Sequence, residues 1–115
     1  MLHLLIAPVA MLTLTPVADT PPPVGAYLTG KQLYEQCTSD KEASASVCAG
    51  YLMGIADALD FARSMGKQAQ CIPKDAGPIQ LRDVVVEALK AHPDQEGLPA
   101  AQVSSEIFGA AFGCK

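Results

Sequence analysis

The sequence has 115 residues, of which 50% are hydrophobic and 17% are charged, so it is long enough for one compact domain and too short for two. Its formal net charge of −4 argues against nucleic acid or an anionic membrane surface as the partner, because both are bound through clustered Lys and Arg side chains. A partner with a basic surface suits this chain better.

The N-terminal stretch has the pattern of a secretory signal peptide. Its apolar run, Leu4–Leu14, is shorter than the roughly 20 residues that a membrane-spanning helix needs, so no membrane span is expected. Cleavage is expected near Ala18 or Ala26, and the "VGA" that ends at Ala26 has the more usual form. We predict a signal peptide and proline-rich linker over residues 1–26 and one domain over residues 27–115. The alternative, an N-terminal helix or strand of the domain, is disfavoured by the prolines of this stretch.

The first two helices can be placed from their end signals. Thr29 and Gln32 have the spacing of a capping box, so a short first helix is expected to begin there and to end near Cys37. A polar connection follows, and the second helix is predicted from Ala45 to Met65. Gly66 is expected to end it in the left-handed conformation.

The second helix is strongly amphipathic. Asp57, Asp60 and Ser64 oppose its apolar face, with Arg63 at the boundary. A seam between the faces carries glycines four residues apart, which allow another helix to approach closely, and we expect packing within the domain to cover it; a dimer or partner surface is the alternative. The seam consists of Gly50, Gly54 and Phe61. The predicted core face is a separate set, which consists of Val47, Cys48, Tyr51, Leu52, Ile55, Ala58, Leu59 and Ala62.

Two more helices follow. "LRDVVVEALKAHP" repeats its apolar residues with helical period, places His92 on the apolar face and stops at Pro93. A fourth helix opens at Pro99, and Phe108 and Phe112 project from the side opposite its apolar face. No segment alternates as a strand would, so the predicted fold is all-α, a small four-helix bundle stapled by disulfides.

The four cysteines are expected to form two disulfides, since an exported small chain meets an oxidising compartment. Their spacing excludes the usual zinc and haem motifs, so no metal is expected. Helix geometry separates the three connectivities. The helix after Cys48 is about 27 Å long, and the few residues from its end to Cys71 reach back only about 17 Å, so a Cys48–Cys71 bridge is disfavoured. An antiparallel first helix instead brings Cys37 to Cys48, which leaves Cys71 for Cys114.

A search for catalytic groups finds little. His92 falls at a helix C-terminus, where a structural role is the simpler explanation. Asp57 and Asp60 lie one turn apart, yet carboxylates on a polar helix face are usually solvated, and Arg63 offers Asp60 a partner. We therefore expect a protein that is not an enzyme and that uses no cofactor.

Several spaced segments, together with all four cysteines, resemble the Rap/Tai family of immunity proteins associated with type VI secretion. The segments are "LYEQC", "CAGYLMGIADAL", "CIP", "LRDVVVEALKAHP" and "AAFGCK". The resemblance covers nearly all of the chain from Leu28 to Lys115. It implies a small, exported, disulfide-bonded helical protein that binds and blocks a peptidoglycan amidase injected into the periplasm. The matching positions are structural ones, namely the four cysteines with Tyr51, Gly54, Asp57, Leu81, Arg82, Asp83, His92 and Pro93.

These observations lead to a periplasmic inhibitory binding protein, with a homodimer as a further expectation. The alternative is an envelope protein of structural or chaperone-like function that has no toxin partner. The expected partner contacts are polar or aromatic residues without an evident role in the core. They are Asp57, Asp60, Arg63, Lys67, Gln68, Gln70, Asp94, Gln95, Glu96, Phe108 and Phe112.

Overall fold

The computed structural model describes residues 26–114, so residues 1–25 of the predicted signal peptide and linker, and Lys115 of the predicted domain, lie outside the described part. Within residues 26–114 the chain forms four α-helices and one short 3₁₀ helix, and no strand beyond an isolated bridge. The all-α fold is therefore confirmed, while the domain boundary stays a prediction. The helices are α1 (Gly30–Thr38), α2 (Glu42–Met65), α3 (Pro78–Ala91), the 3₁₀ helix (Pro93–Gly97) and α4 (Ala100–Ala111).

The start of α1 is tied to the start of α4. The predicted capping box is present: the Gln32 backbone N–H donates to Thr29 Oγ1 at 3.2 Å, and the Thr29 N–H donates to Gln32 Oε1 at 2.9 Å. On the opposite side, the Gly30 N–H donates to the Leu98 carbonyl and the Ala100 N–H donates to the Leu28 carbonyl, each at 2.8 Å. Backbone N–H groups in the first turn of each helix are thus hydrogen-bonded, whereas those of a free helix end have no partner within the helix.

Helix α2 begins at Glu42, three residues before the predicted start, and ends at Met65 as predicted. The prediction for Gly66 was wrong: its φ is −86°, and Lys67 takes the left-handed conformation at φ 57°. The Gln68 N–H donates to the Arg63 carbonyl at 2.9 Å and the Lys67 N–H donates to the Ser64 carbonyl at 3.0 Å. This is a Schellman ending displaced by one residue, because the last helical turn extends through Gly66.

The hydrophobic core lies where all four helices meet. Leu33 of α1, Leu52 of α2 and Val85 of α3 are fully buried, and the helical periodicity of the sequence predicts this for Leu52 and Val85. Each such side chain contributes roughly 1.5–3 kcal/mol by leaving water. The rest of the core consists of Cys37, Cys48, Ala56, Ile72, Leu81, Leu89, Ala100, Val103, Ile107 and Phe108.

Several predicted orientations were wrong. Phe108 was expected to project outwards, but it is fully buried, because α4 is covered on more than one side. His92 is exposed rather than on the apolar face, since its φ of −128° and ψ of 71° take it out of the helix that it caps. On α2 the covered stripe is narrower than predicted, and Val47, Ala58 and Ala62 are exposed.

The predicted disulfide connectivity is confirmed. Cys37 and Cys48 join α1 to the first half of α2 with their Cα atoms 5.0 Å apart. Cys71 and Cys114 join the loop after α2 to the end of α4 with a Cα separation of 5.3 Å. Since both separations fall in the usual range for a bridge, the two ends of the domain are each closed by a covalent link.

Candidate functional site

The outer face of α2 is an exposed apolar stripe. At 100° per residue, seven uncharged residues fall within about 40° of Gly54, and every one of them is exposed. Phe61 is 67% exposed and Met65 is 72% exposed, and exposed apolar side chains that form one continuous patch are typical of an interaction site. We call this set the α2 outer face: Ala43, Val47, Gly50, Gly54, Ala58, Phe61 and Met65.

The expectation that packing within the domain covers the glycine seam was wrong for the described residues. A methyl group added at Gly50 or Gly54 would meet no atom within 4 Å. The α2 outer face therefore has a smooth, open centre between larger side chains at its ends.

By length and composition alone, α2 is also apolar enough to cross a membrane, and it is the one such helix among the described residues. The core helix of a folded domain meets the same criterion of length and composition. Only 17% of the apolar window of α2 is buried inside the domain. Most of the apolar surface of α2 is therefore left uncovered by the rest of the described domain.

The polar residues predicted on α2 have different surroundings. Asp57 is exposed beside the α2 outer face. Asp60 is half-buried, and its Oδ1 accepts a hydrogen bond from the Cys71 N–H at 3.2 Å. The Arg63 Nε donates to the Ala69 carbonyl at 2.9 Å. Asp60 and Arg63 thus hold the loop that leads to the second disulfide, a structural role that the sequence did not indicate.

Every residue of the predicted contact loop after α2 is exposed, including Lys67, Gln68 and Gln70. Its beginning is fixed by the Schellman ending, and its end is fixed by Asp60 and by the disulfide at Cys71. A short loop anchored at both ends presents its side chains with little loss of conformational freedom on binding.

The second predicted contact loop forms the 3₁₀ helix. Asp94 is exposed, whereas Gln95 and Glu96 are half-buried, because the backbone of this segment lies directly against Gly30 at the start of α1. Of the two predicted aromatic contacts, Phe112 is half-buried and packs on buried Phe108, with ring centroids 6.0 Å apart. Phe108 is not accessible to a partner.

A groove runs between the C-terminal halves of α3 and α4 and is closed at one end by the 3₁₀ helix. Its volume is about 540 Å³, within the range of ligand pockets. The sequence does not indicate this groove, because its walls belong to two separate helices, with residues 92–99 between them, and meet only in the fold. We call it the α3–α4 groove; it is lined by Val84, Glu87, Ala88, Ala91, His92, Gln95, Glu106, Ile107, Ala110 and Ala111.

The described residues show no metal-binding cluster: within 26–114, no three His, Cys, Asp or Glu side chains lie together. All four cysteines are in disulfides, so none provides a thiolate. Burial raises the pKa of Tyr51 above its ordinary value, an effect that a hydrogen bond with the Ala101 backbone partly offsets. Its hydroxyl therefore stays protonated near neutral pH.

Comparison with known sequences gives one family. The sequence model of the family described as Rap1a immunity proteins matches residues 29–114. No curated protein and no solved structure gives a significant match. The matched range begins at the capping residue of α1 and ends at the last cysteine, so it coincides with the folded domain.

Proposed function

The chain belongs to the Rap1a immunity protein family, and we propose that it is a periplasmic inhibitor that binds and occludes a peptidoglycan amidase delivered by type VI secretion. The observation that carries this proposal is the match over the whole folded domain, residues 29–114. Two disulfides support an oxidising compartment outside the cytoplasm.

Inhibition by occlusion requires a rigid surface rather than reactive groups. The loop 66–70 is held between the Schellman ending of α2 and the Cys71–Cys114 disulfide, and the 3₁₀ helix is held against Gly30. Because these segments are ordered before binding, less conformational entropy is lost in the complex. We assign the amidase contact to these two segments, with Lys67, Gln68, Gln70 and Asp94 as the accessible side chains.

The α2 outer face is assigned to a second copy of the chain. An antiparallel pair of α2 helices related by a two-fold axis at Gly54 would place Gly50 opposite Ala58 and Val47 opposite Phe61. Ala43 would then face Met65, so that each large side chain meets a smaller one. Such self-complementarity is what a symmetric dimer interface needs, and the stripe carries no charge that the contact would bury.

The proposal is tested with the mature, oxidised domain as bait against envelope and secreted fractions, followed by an assay of peptidoglycan hydrolysis. We expect one stoichiometric partner that cleaves peptidoglycan and loses this activity when the domain is added in equimolar amount. A variant with residues 67–70 replaced by Gly and Ser is expected to lose inhibition while keeping its melting temperature. Weak binding to many unfolded proteins, without an amidase, would contradict the proposal and favour the chaperone-like alternative.

A further inference from the structure

The floor of the α3–α4 groove is apolar and built from small side chains. Its lining includes Ala88 and Ala91 of α3, Ala110 and Ala111 of α4, and the larger apolar side chains of Val84 and Ile107. Since an alanine side chain ends at Cβ, two helices lined by alanine leave an open trough between them. A trough of this kind can cover the aliphatic stem of a long side chain or one face of a planar group.

The rim of the groove is rich in hydrogen-bond acceptors. Glu87 and Glu106 stand on its two walls, and Gln95 and His92 line the end that the 3₁₀ helix closes. No Lys or Arg is among the lining residues. The single ion pair found within residues 26–114 is Arg82 with Asp83, so neither glutamate of the rim is neutralised by a described cation. Glu106 accepts one hydrogen bond, from Gln102 Nε2 at 3.1 Å.

An apolar trough with carboxylates on both edges selects a ligand with an aliphatic stem and a cationic end. The net charge of −4 for the whole chain adds long-range attraction for such a group. Among protein side chains, arginine and lysine have this chemistry, and the groove distinguishes them. A guanidinium is planar, is weakly hydrated and carries five N–H donors in a fork, which suits acceptors spread along two walls and a flat floor of methyl groups.

We infer that the α3–α4 groove is a docking site for an exposed arginine side chain of the protein partner. The inference rests on the proposed function only in assuming that the partner is a protein. In the complex, the arginine methylenes lie on the alanine floor and the guanidinium donates to Glu87 and Glu106, with the Gln95 side-chain oxygen as a further acceptor.

The test uses small probes and does not need the partner. The isotope-labelled domain is titrated with n-butylguanidinium, n-butylammonium and n-butanol at equal ionic strength, and the chemical shifts of backbone amides are followed by NMR. We expect saturable shifts at Ala88, Ala91, Ala110 and Ala111 with n-butylguanidinium. Shifts with n-butylammonium should be weaker, and those with n-butanol weaker still.

Matched variants separate charge from shape. Glu87→Gln with Glu106→Gln should weaken n-butylguanidinium binding by at least about threefold, the scale of exposed ion pairs. Glu35→Gln, an exposed glutamate on α1, should leave the affinity unchanged. Equal binding to the double variant, stronger binding of n-butylammonium, or the absence of shifts in the groove would each overturn the inference.

The two proposals fail independently. If the probe binds in the groove but no amidase is captured, the docking site stands and the immunity function falls. If an amidase is captured and inhibited equally well by the double glutamine variant, and the probe does not bind, the function stands and the docking site falls.

Discussion

Gly30 is the residue at which two elements come closest. A methyl group at this position would lie 2.8 Å from the Gln95 carbonyl oxygen and 3.2 Å from the Glu96 Cα, and both atoms belong to backbone that cannot rotate away. We therefore expect Gly30→Ala to lower the free energy of unfolding by about 1–3 kcal/mol through overpacking, as measured by urea denaturation. The control is Gly109→Ala within α4, where an added methyl meets nothing within 4 Å. That change should instead stabilise the domain by about 0.5–1 kcal/mol.

Lys67 is the one non-glycine residue with positive φ among the described residues. A left-handed conformation costs an L-residue roughly 1–2 kcal/mol. Replacement by glycine removes this cost, but the greater conformational freedom of glycine in the unfolded chain cancels part of the gain in stability. Lys67→Gly should thus raise the free energy of unfolding by about 0.5–1 kcal/mol. Gly66→Ala, at an ordinary φ of −86°, should change it little. A loss of stability in Lys67→Gly would show that the lysine side chain has contacts worth more than the backbone strain.

At the scale of elements, helix α2 links the fold to association. Gly54→Leu adds a large side chain at the centre of the α2 outer face, where nothing in the domain is displaced, so the monomer should fold with unchanged or higher stability. The same side chain would hold two antiparallel α2 helices apart. We expect light scattering after gel filtration to show a concentration-dependent dimer for the wild-type domain and a monomer for Gly54→Leu.

The matched control is Ala45→Leu, because Ala45 is also exposed on α2 but lies on the opposite side of the helix from Gly54. This variant should remain dimeric. A dimer that survives Gly54→Leu, or a wild-type domain that is monomeric at every concentration, would contradict the assignment of the α2 outer face to a second copy.

Elements also show what the sequence could and could not predict. Helix ends were readable at Thr29 and Met65 because local hydrogen bonding determines them, and the disulfide pairs followed from the length of one helix. The orientation of side chains was less predictable on α2 and α4, where apolar residues occupy more than one side and only tertiary packing decides which side is covered. That is why Val47 proved exposed and Phe108 buried. The α3–α4 groove needs both helices in place, so neither sequence segment alone indicates it.

At the scale of the whole molecule, two covalent links act on a small core. The Cys37–Cys48 bridge spans 11 residues of sequence and Cys71–Cys114 spans 43. Only the longer one joins elements far apart in the chain, and it also ends the contact loop that Asp60 holds in place. The two disulfides should therefore differ in their effects on stability and on inhibition.

Removal of each bridge with alanine pairs tests this difference. In the loop-entropy description, a bridge closing 43 residues contributes about 4 kcal/mol and one closing 11 residues contributes about 2.8 kcal/mol. Cys71→Ala with Cys114→Ala should thus lower the free energy of unfolding by about 1 kcal/mol more than Cys37→Ala with Cys48→Ala, measured by urea denaturation of both variants. Truncation of the fully buried Cys48 also removes packing, which reduces this difference. An equal loss in the two variants would mean that packing rather than loop entropy dominates.

The two double variants should also differ in their inhibition of the amidase, measured under conditions where both are folded. Inhibition should weaken when the Cys71–Cys114 bridge is absent and persist when the Cys37–Cys48 bridge is absent, since only the former anchors loop 66–70.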